Sequence, residues 1–303
     1  MLRPLRRRVP GGARLLPSLR ARRGRERLHG ARRDGGASHR ARRASITQGT
    51  SAGRAQRDRV TVRVHFLGSG NAFSDGGRAN AAIHVTAPGV SLLLDCGGSA
   101  LPAIKKHVDP ATIDAIAVTH LHGDHFGGIT FLVIEQHFAG RKKALVCAGP
   151  PSLEQRMRAA DQALYPDFFG PVQLGFPLRT LVLGPEPIEL GGAHVSALPV
   201  RHVRLAEPHG LRVEVAGKLI AYSGDARFTE ELVAVAKGAD LFICEASYFD
   251  RDDPAHISYK QVMAHRHEFD AKRIVLTHLG AETLAHLSDL ELEHTTDGTL
   301  IEI

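Results

Sequence analysis

The stretch of sequence that decides the fold is THLHGDHFGG, residues 119–128. Three imidazoles and one carboxylate lie within six residues of this stretch, directly after the apolar segment DAIAV. Imidazole nitrogens and carboxylate oxygens are the ligands that zinc and similar divalent ions take in proteins. A His-rich surface turn is the alternative interpretation, but it does not explain why the polar cluster closes an apolar strand. The stretch therefore predicts a metal site at the end of a buried strand.

The spacing inside this cluster predicts two ions rather than one. His120 and His122 are two residues apart, so in an extended backbone they point to the same side. Asp124 and His125 are adjacent, so they diverge and are able to serve a second ion close by. Four ligands are too few for two ions, and we expect the others to come from distant parts of the chain.

Three further residues are of the right type and follow apolar strands. His202 comes after ALPVR, Asp225 lies in YSGDAR, and His278 closes VLTH. A single His in such a place is usually structural, but three candidates in order, each at the end of an apolar strand, are typical of a shared site. We expect them to complete both metal spheres.

The complete set resembles the signature of the metallo-β-lactamase superfamily, which is HxHxDH followed by His, Asp and His. The resemblance covers residues 60–303 and implies an α/β fold, the αββα sandwich of the metallo-β-lactamase fold, with the site at one edge. It also implies two divalent metal ions, for which zinc is expected and manganese or iron are alternatives. The implied ligands are His120, His122 and His202 for one ion, Asp124, His125 and His278 for the other, and Asp225 as the bridge.

Within the superfamily the chain is most similar to ribonuclease Z. FLGSGNAFSDGGRANAA is similar to the opening strand and Gly-rich loop of that family, and LLLDCGGS resembles its next motif. ICEAS and AHIS resemble its paired Glu and His motifs, which places Glu245 and His256 in catalytic roles, His256 as a general acid held by Glu245. Asp124 is expected to orient the attacking water or accept its proton. A loop histidine and a loop-capping carboxylate are the alternative interpretations of this pair.

One part of ribonuclease Z is missing from this sequence. True members insert an arm that grips tRNA, whereas this chain passes from His202 to Asp225 in a short stretch. Residues 60–303 hold 21 basic and 29 acidic residues, a net charge of −8. Because long nucleic acids are bound mainly through neutralisation of their phosphates, we expect a small or short phosphodiester substrate, and binding of long nucleic acid stays open. The resemblance also implies a homodimer.

Residues 1–59 differ from the rest of the chain in composition. They hold 18 Arg, no Lys, three acidic residues and no Phe, Tyr or Trp. Such a segment cannot bury enough apolar surface to offset the entropy of ordering, so we expect a disordered extension before a catalytic domain of residues 60–303. Three origins stay open: a start codon assigned too far upstream, an organellar targeting peptide, or a basic arm for nucleic acid.

The pattern after residue 59 alternates between strands and helices, which favours a layered α/β domain. No apolar run is long enough to span a bilayer, and no secretory signal is recognisable. Cys96, Cys147 and Cys244 are scattered without CxxC spacing, which favours a reducing compartment over a disulfide framework. We therefore expect a cytoplasmic protein with no membrane partner.

The function expected from these residues is phosphodiester hydrolysis by a hydroxide that two metal ions generate and hold. An ester, lactone or thioester hydrolase, of the kind represented by lactonases and glyoxalase II, is the alternative enzyme. A nucleic-acid-binding protein with a structural metal is a third hypothesis. It fits less well, because structural zinc sites use four ligands and leave no open position.

Overall fold

The alternating segment that opens the α/β domain forms β1 (Arg63–Gly68), which is the first strand of the structure. This structure is a computed structural model, and it describes residues 60–169 and 171–303. In β1, Val64 and Phe66 are fully buried on one face, as the alternation predicts. The predictions made above for residues 1–59 lie outside the described residues.

The described residues form two β-sheets of seven strands each. The first sheet has the strand order β14–β1–β2–β3–β4–β5–β6. Its members after β1 are β2 (Ala82–Ala87), β3 (Val90–Leu94), β4 (Ala115–Ala117), β5 (Leu145–Gly149), β6 (Leu178–Val182) and β14 (Thr299–Glu302).

The second sheet has the strand order β13–β12–β11–β10–β9–β8–β7. Its members are β7 (Ile188–Leu190), β8 (Ala193–Pro199), β9 (His209–Val215), β10 (Lys218–Tyr222), β11 (Leu241–Glu245), β12 (Ile274–Thr277) and β13 (Glu293–His294). Each sheet is antiparallel at one end and parallel at the other, since the pairs from β3 to β6 and from β10 to β13 are all parallel. Parallel strands bring their carboxyl ends to the same edge, where ligands bind in open α/β sheets.

Helices cover the outer faces of both sheets. They are α1 (Ala100–His107), α2 (Gly123–Phe126), α3 (Ile129–Phe138), α4 (Leu153–Leu164), α5 (Pro166–Phe169), α6 (Glu230–Ala236), α7 (Tyr259–Ala264) and α8 (Ala281–Leu284). Ser258 begins α7 through a capping box with Gln261. Within the described residues, no helix combines the length and apolarity that a membrane crossing requires.

Three apolar cores hold the layers together. The first lies between the sheets and contains, among others, Phe66 and Tyr222. The second joins the first sheet to α1, α3 and α4, and the third joins the second sheet to α6 and α7. The order helix, sheet, sheet, helix confirms the predicted αββα sandwich.

The four strands that the sequence patterns did not predict are β6, β7, β13 and β14. They are the four edge strands of the two sheets, one at each end. An edge strand pairs on one side only and is more exposed, and in β6 Leu181 and Val182 are exposed. Edge strands therefore lack the strong apolar pattern from which the inner strands were predicted.

A buried histidine in the first sheet makes the fold sensitive to acid. His84 on β2 is 4 % exposed, and its Nε2 lies 2.9 Å from Ser91 Oγ. Burial and, to a smaller extent, nearby His65 lower the pKa of His84 to about 4, although Asp114 opposes the shift. Because the folded pKa lies below the unfolded value of about 6.5, protonation favours the unfolded chain as the pH falls from about 6.5 to 4.

The free energy of unfolding of the wild type should fall when the pH is lowered from 7 to 5. We expect this fall to be smaller in His84→Gln by about 2 kcal/mol, the linkage contribution of such a shift. Urea unfolding at both pH values measures it. His194→Gln, at an exposed position of β8, is the matched control and should keep the wild-type pH dependence. An equal pH dependence in His84→Gln and the wild type would contradict the assignment.

Candidate metal centre

The HxHxDH segment begins after β4 and runs into α2, and two of its histidines lie in the interior of the protein. His120 and His125 are fully buried. His122 has extended backbone angles (φ −86°, ψ 151°) and precedes α2, which contains Asp124 and His125. The change from extended to helical backbone separates the first two ligands from the last two, as their spacing predicts.

The first group of ligand atoms contains three imidazoles and one carboxylate. His122 Nδ1 lies 3.1 Å from His120 Nε2 and 3.1 Å from His202 Nε2. Asp225 Oδ2 lies 3.7 Å from His120 Nε2 and 3.9 Å from His202 Nε2. Four donor atoms thus surround one point, and they could hold a metal ion together.

The second group shares Asp225 with the first. His125 Nε2 and His278 Nε2 are 3.4 Å apart, and Asp124 Oδ2 lies 3.4 Å from the former and 3.3 Å from the latter. Asp225 Oδ1 lies 3.2 Å from His125 Nε2 and 3.3 Å from His278 Nε2. One oxygen of Asp225 therefore faces each group, which is the arrangement of a bridging carboxylate.

The distances in the second group fit a tetrahedral metal site, whereas those in the first group spread from 3.1 to 3.9 Å. A metal bound at about 2.0–2.1 Å by nitrogen and oxygen atoms places neighbouring ligand atoms about 3.3 Å apart. The separations in the second group, from 3.2 to 3.4 Å, agree closely with this value. Asp225 Oδ1 is also buried without a hydrogen-bond donor, which is costly for a carboxylate unless a cation occupies the place of the donor.

The electrostatics of the two groups also favour a cation. Burial raises the pKa of Asp225, but the charges of His278 and His125 outweigh this effect and hold its pKa well below its usual range. Burial and the charge of neighbouring His125 hold the pKa of His120 well below its usual value, so its ring stays neutral, as metal ligation requires. In the second group, burial lowers the pKa of His125, but Asp225 and Asp124 outweigh this effect and raise it, so this group attracts positive charge, which a bound cation would supply in place of the proton.

Four ligand rings are oriented through their second nitrogen, which is a usual feature of metal-binding histidines. The partners are Thr119 Oγ1 for His120 Nδ1 (3.0 Å), Asp95 Oδ2 for His125 Nδ1 (2.7 Å), the carbonyl oxygen of Ala255 for His202 Nδ1 (2.9 Å) and Ser247 Oγ for His278 Nδ1 (3.0 Å). No role was predicted for Asp95 or Ser247. Both lie in motifs similar to those of ribonuclease Z, LLLDCGGS and ICEAS, but pairing with a ring distant in sequence is not visible in a local pattern.

Asp95 and His278 share an unusual backbone conformation. Each has a φ of 58°, in the left-handed region that side chains other than Gly seldom adopt. Asp95 follows β3 directly, and His278 follows β12 directly. In both places the chain turns sharply at the end of a strand and directs a polar side chain into the metal centre.

Asp95→Asn is expected to weaken metal binding about 10- to 100-fold, the usual effect of losing such an orienting partner. The Asp95 carboxylate accepts hydrogen bonds from Thr119 N, Thr119 Oγ1 and His125 Nδ1. An amide has one acceptor oxygen, and its NH₂ group would face a donor. Chelator competition measures the affinity, and Asp240→Asn, which alters a carboxylate that accepts from Leu219 N, is the control. Unchanged affinity in Asp95→Asn would contradict the role.

Glu245 and His256 lie together beside the bridging carboxylate. His256 Nδ1 is 3.0 Å from both oxygens of Glu245 and 3.9 Å from Asp225 Oδ2. Glu245 is fully buried and also accepts from Ala226 N and Ser247 Oγ, each at 2.6 Å. Burial lowers the pKa of His256, but the charge of Glu245 outweighs this and raises it to about 9. The structure therefore brings all nine predicted site residues into one cluster.

Comparison with known proteins shows the family of the chain. Residues 62–295 match the family described as Anti-Pycsar protein Apyc1. The chain belongs to this family. It is 31 % identical over 228 residues to an uncharacterized protein of Mycobacterium leprae, covering 73 % of this chain and 78 % of that protein. It is 25 % identical over 261 residues to a ribonuclease Z of Metallosphaera sedula, covering 73 % and 89 % of the two chains.

Solved structures share the fold. The metallo-β-lactamase fold protein YhfI of Bacillus subtilis superimposes with a TM-score of 0.66 at 20 % identity, covering 80 % of this chain and all of that one. The short form of human tRNase Z gives 0.64 at 24 % identity, covering 79 % and 98 %. The predicted superfamily and its likeness to ribonuclease Z are thus confirmed. The chain is a metal-dependent hydrolase of the metallo-β-lactamase superfamily.

Proposed function

We propose that this hydrolase is a phosphodiesterase that acts on small or cyclic phosphodiesters and uses two zinc ions. The observation that carries the proposal is the His256–Glu245 pair, which lies beside Asp225 at the joint of the two ligand groups. A phosphodiester with an alkoxide leaving group needs a proton on the departing oxygen, and a fixed imidazole supplies it. An ester or lactone also expels an alkoxide, and the similarity to a ribonuclease Z favours the phosphodiester over these substrates.

The contacts of Glu245 indicate which nitrogen of His256 would protonate the leaving oxygen. Both carboxylate oxygens lie at Nδ1, so Nδ1 carries a proton that it donates to Glu245. Nε2 is then the atom that faces the substrate and passes its proton to the leaving oxygen. Ala255, the residue before His256, accepts a hydrogen bond from His202, so one loop sets the position of both the acid and a metal ligand.

The residues that would hold the two metal ions are the ligands described above. When bound, two zinc ions supply Lewis-acid stabilisation of the charge that develops at phosphorus and a nucleophile from water near neutral pH. His120, His122 and His202 would hold one ion, and Asp124, His125 and His278 the other. Asp225 would bridge them, and Asp124 Oδ2 is available to orient the water or accept its proton. Histidine-rich sites with a carboxylate suit zinc.

The short connection between two predicted ligands and the charge of the domain favour a small substrate. Between His202 and Asp225 the chain forms only a short 3-10 turn, β9 and β10, so no arm is inserted there. With a net charge of −8 on residues 60–303, a long nucleic acid finds little electrostatic support. The homodimer stays a prediction.

The test is a substrate panel on one purified sample whose metals are measured by elemental analysis. The panel contains bis-p-nitrophenyl phosphate, a cyclic nucleotide, p-nitrophenyl acetate and a homoserine lactone, each with and without chelator. We expect chelator-sensitive hydrolysis of the phosphodiesters and about two zinc ions per chain. Hydrolysis of the ester or lactone without turnover of any phosphodiester would refute the proposal and favour the alternative enzyme. Manganese or iron in place of zinc would correct the metal.

A further inference from the structure

The loop between β1 and β2, residues 69–81, is anchored near two predicted ligands of the second metal group. The carbonyl oxygen of Ser69, where the loop begins, accepts a hydrogen bond from His278 N at 3.0 Å. Towards the end of the loop, Asn80 lies against Gly97, which in turn lies against the backbone of Asp124, so a side chain at position 97 would collide with both. The loop is therefore anchored to His278 directly and to Asp124 through Gly97.

Hydrogen bonds within the loop fix the conformation of its tip. Asn71 Oδ1 accepts from Phe73 N and Asp75 N, each at 3.2 Å, and Asn71 Nδ2 donates to Asp75 Oδ2 at 2.8 Å. The same Asp75 oxygen accepts from Ala281 N at 2.9 Å, which is three residues after His278. The loop tip is thus fastened to the segment that carries a ligand, and Phe73 is held in place on it.

Phe73 is 84 % exposed, the highest value among the large apolar side chains of the described residues. Single exposed apolar residues are common on protein surfaces, so exposure alone does not indicate a function. Here, however, Phe73 lies on a loop that is fastened by hydrogen bonds from His278 N, a predicted metal ligand, and from Ala281 N. In the described part of the chain no aromatic ring or cation stacks on Phe73, whereas Tyr248, near His256, is covered by Arg251 at 4.6 Å.

We propose that Phe73 contacts the substrate and stacks on a planar base that the phosphodiester carries. This inference rests on the proposed function. An open phenyl ring offers every base a face on which to stack, so it adds affinity without reading the identity of the base. Phe73 is therefore assigned as a specificity-determining residue, which favours phosphodiesters with a base over those without one.

The experiment compares two chromogenic substrates with the same leaving group, thymidine 5′-p-nitrophenyl phosphate and methyl p-nitrophenyl phosphate. We expect Phe73→Ala to raise KM for the thymidine substrate about 5- to 150-fold more than for the methyl substrate, the range of base stacking, with little change in kcat. Phe73→Trp should restore the wild-type ratio of KM values. Phe138→Ala is the matched control. Phe138 is also highly exposed, at 75 %, but it is the last residue of α3. It therefore lies about 14 Å along the helix from Ile129, the end of α3 that follows the HxHxDH segment.

The possible results separate this inference from the proposed function. If the metal-loaded wild type hydrolyses neither phosphodiester, the proposed function fails. If it hydrolyses both, but Phe73→Ala changes KM for the two substrates equally, the stacking role is refuted, and equal losses in kcat would assign Phe73 to the folding of its loop. Failure of Phe73→Trp to restore the ratio would likewise overturn the stacking role, since indole stacks at least as well as phenyl.

Discussion

Asp225→Ala is expected to lose at least one metal ion and nearly all hydrolytic activity. The two oxygens of this carboxylate face different ligand groups, Oδ1 towards His125 and Oδ2 towards His120. Its removal opens both groups at once and leaves each with three ligand atoms. Because bound ions contribute several kcal/mol of transition-state stabilisation, we expect the rate to fall at least about 10³-fold.

Elemental analysis and the rate on bis-p-nitrophenyl phosphate, measured on the same sample, check this prediction. Asp161→Ala is the matched control: Asp161 accepts a hydrogen bond from Thr130 and contacts no predicted ligand. Circular dichroism of the variant against chelated wild type separates loss of metal from loss of fold. A variant that kept two ions and the wild-type rate would refute the bridging assignment.

His256→Ala is expected to harm substrates according to their need for a proton. On a dithymidine phosphodiester, whose leaving group is an alkoxide, we expect a rate loss of about 10²- to 10⁴-fold, the usual range for general acid catalysis. On thymidine 5′-p-nitrophenyl phosphate the loss should be much smaller, because nitrophenolate departs without a proton. The metal content should stay unchanged, since His256 lies 3.9 Å from Asp225 and is not among the predicted ligands.

Glu245→Gln should follow the same pattern more weakly, because Glu245 orients the ring through Nδ1 and transfers no proton itself. Asp252→Asn, in the same loop and bonded to Gln261, is a control that should keep both rates. Equal losses on the two substrates would assign His256 to positioning or metal binding. No loss on either would leave it a loop histidine without a catalytic role.

The sequence predicted the strands and ligands that a local pattern reveals. It did not predict features that depend on how distant segments of the chain pair. Inner strands such as β11 and β12 are buried on both faces, so their unbroken apolar runs were recognisable. His202, Asp225 and His278 were found because each comes soon after a segment predicted to be an apolar strand. The edge strands β6 and β13 carry no comparable pattern, since half of their backbone faces no partner.

The orienting residues were missed for a related reason. Asp95 and His125 are 30 residues apart in sequence, and Ser247 and His278 are 31 apart. Nothing in the spacing of either pair indicates that their side chains meet. The resemblance to ribonuclease Z placed Glu245 and His256 together, but the exposed ring of Phe73 and its polar support became visible only in the assembled loop.

The left-handed backbone at Asp95 and His278 implies a trade-off between stability and function. A non-glycine residue in this region costs about 1 kcal/mol, and both positions bear on the metal centre. Glycine at either position would remove the backbone strain. It would also remove the predicted ligand His278 or the carboxylate of Asp95 that orients His125. At both positions a side chain that serves the metal centre is therefore present at a cost in stability, as expected where function and stability compete.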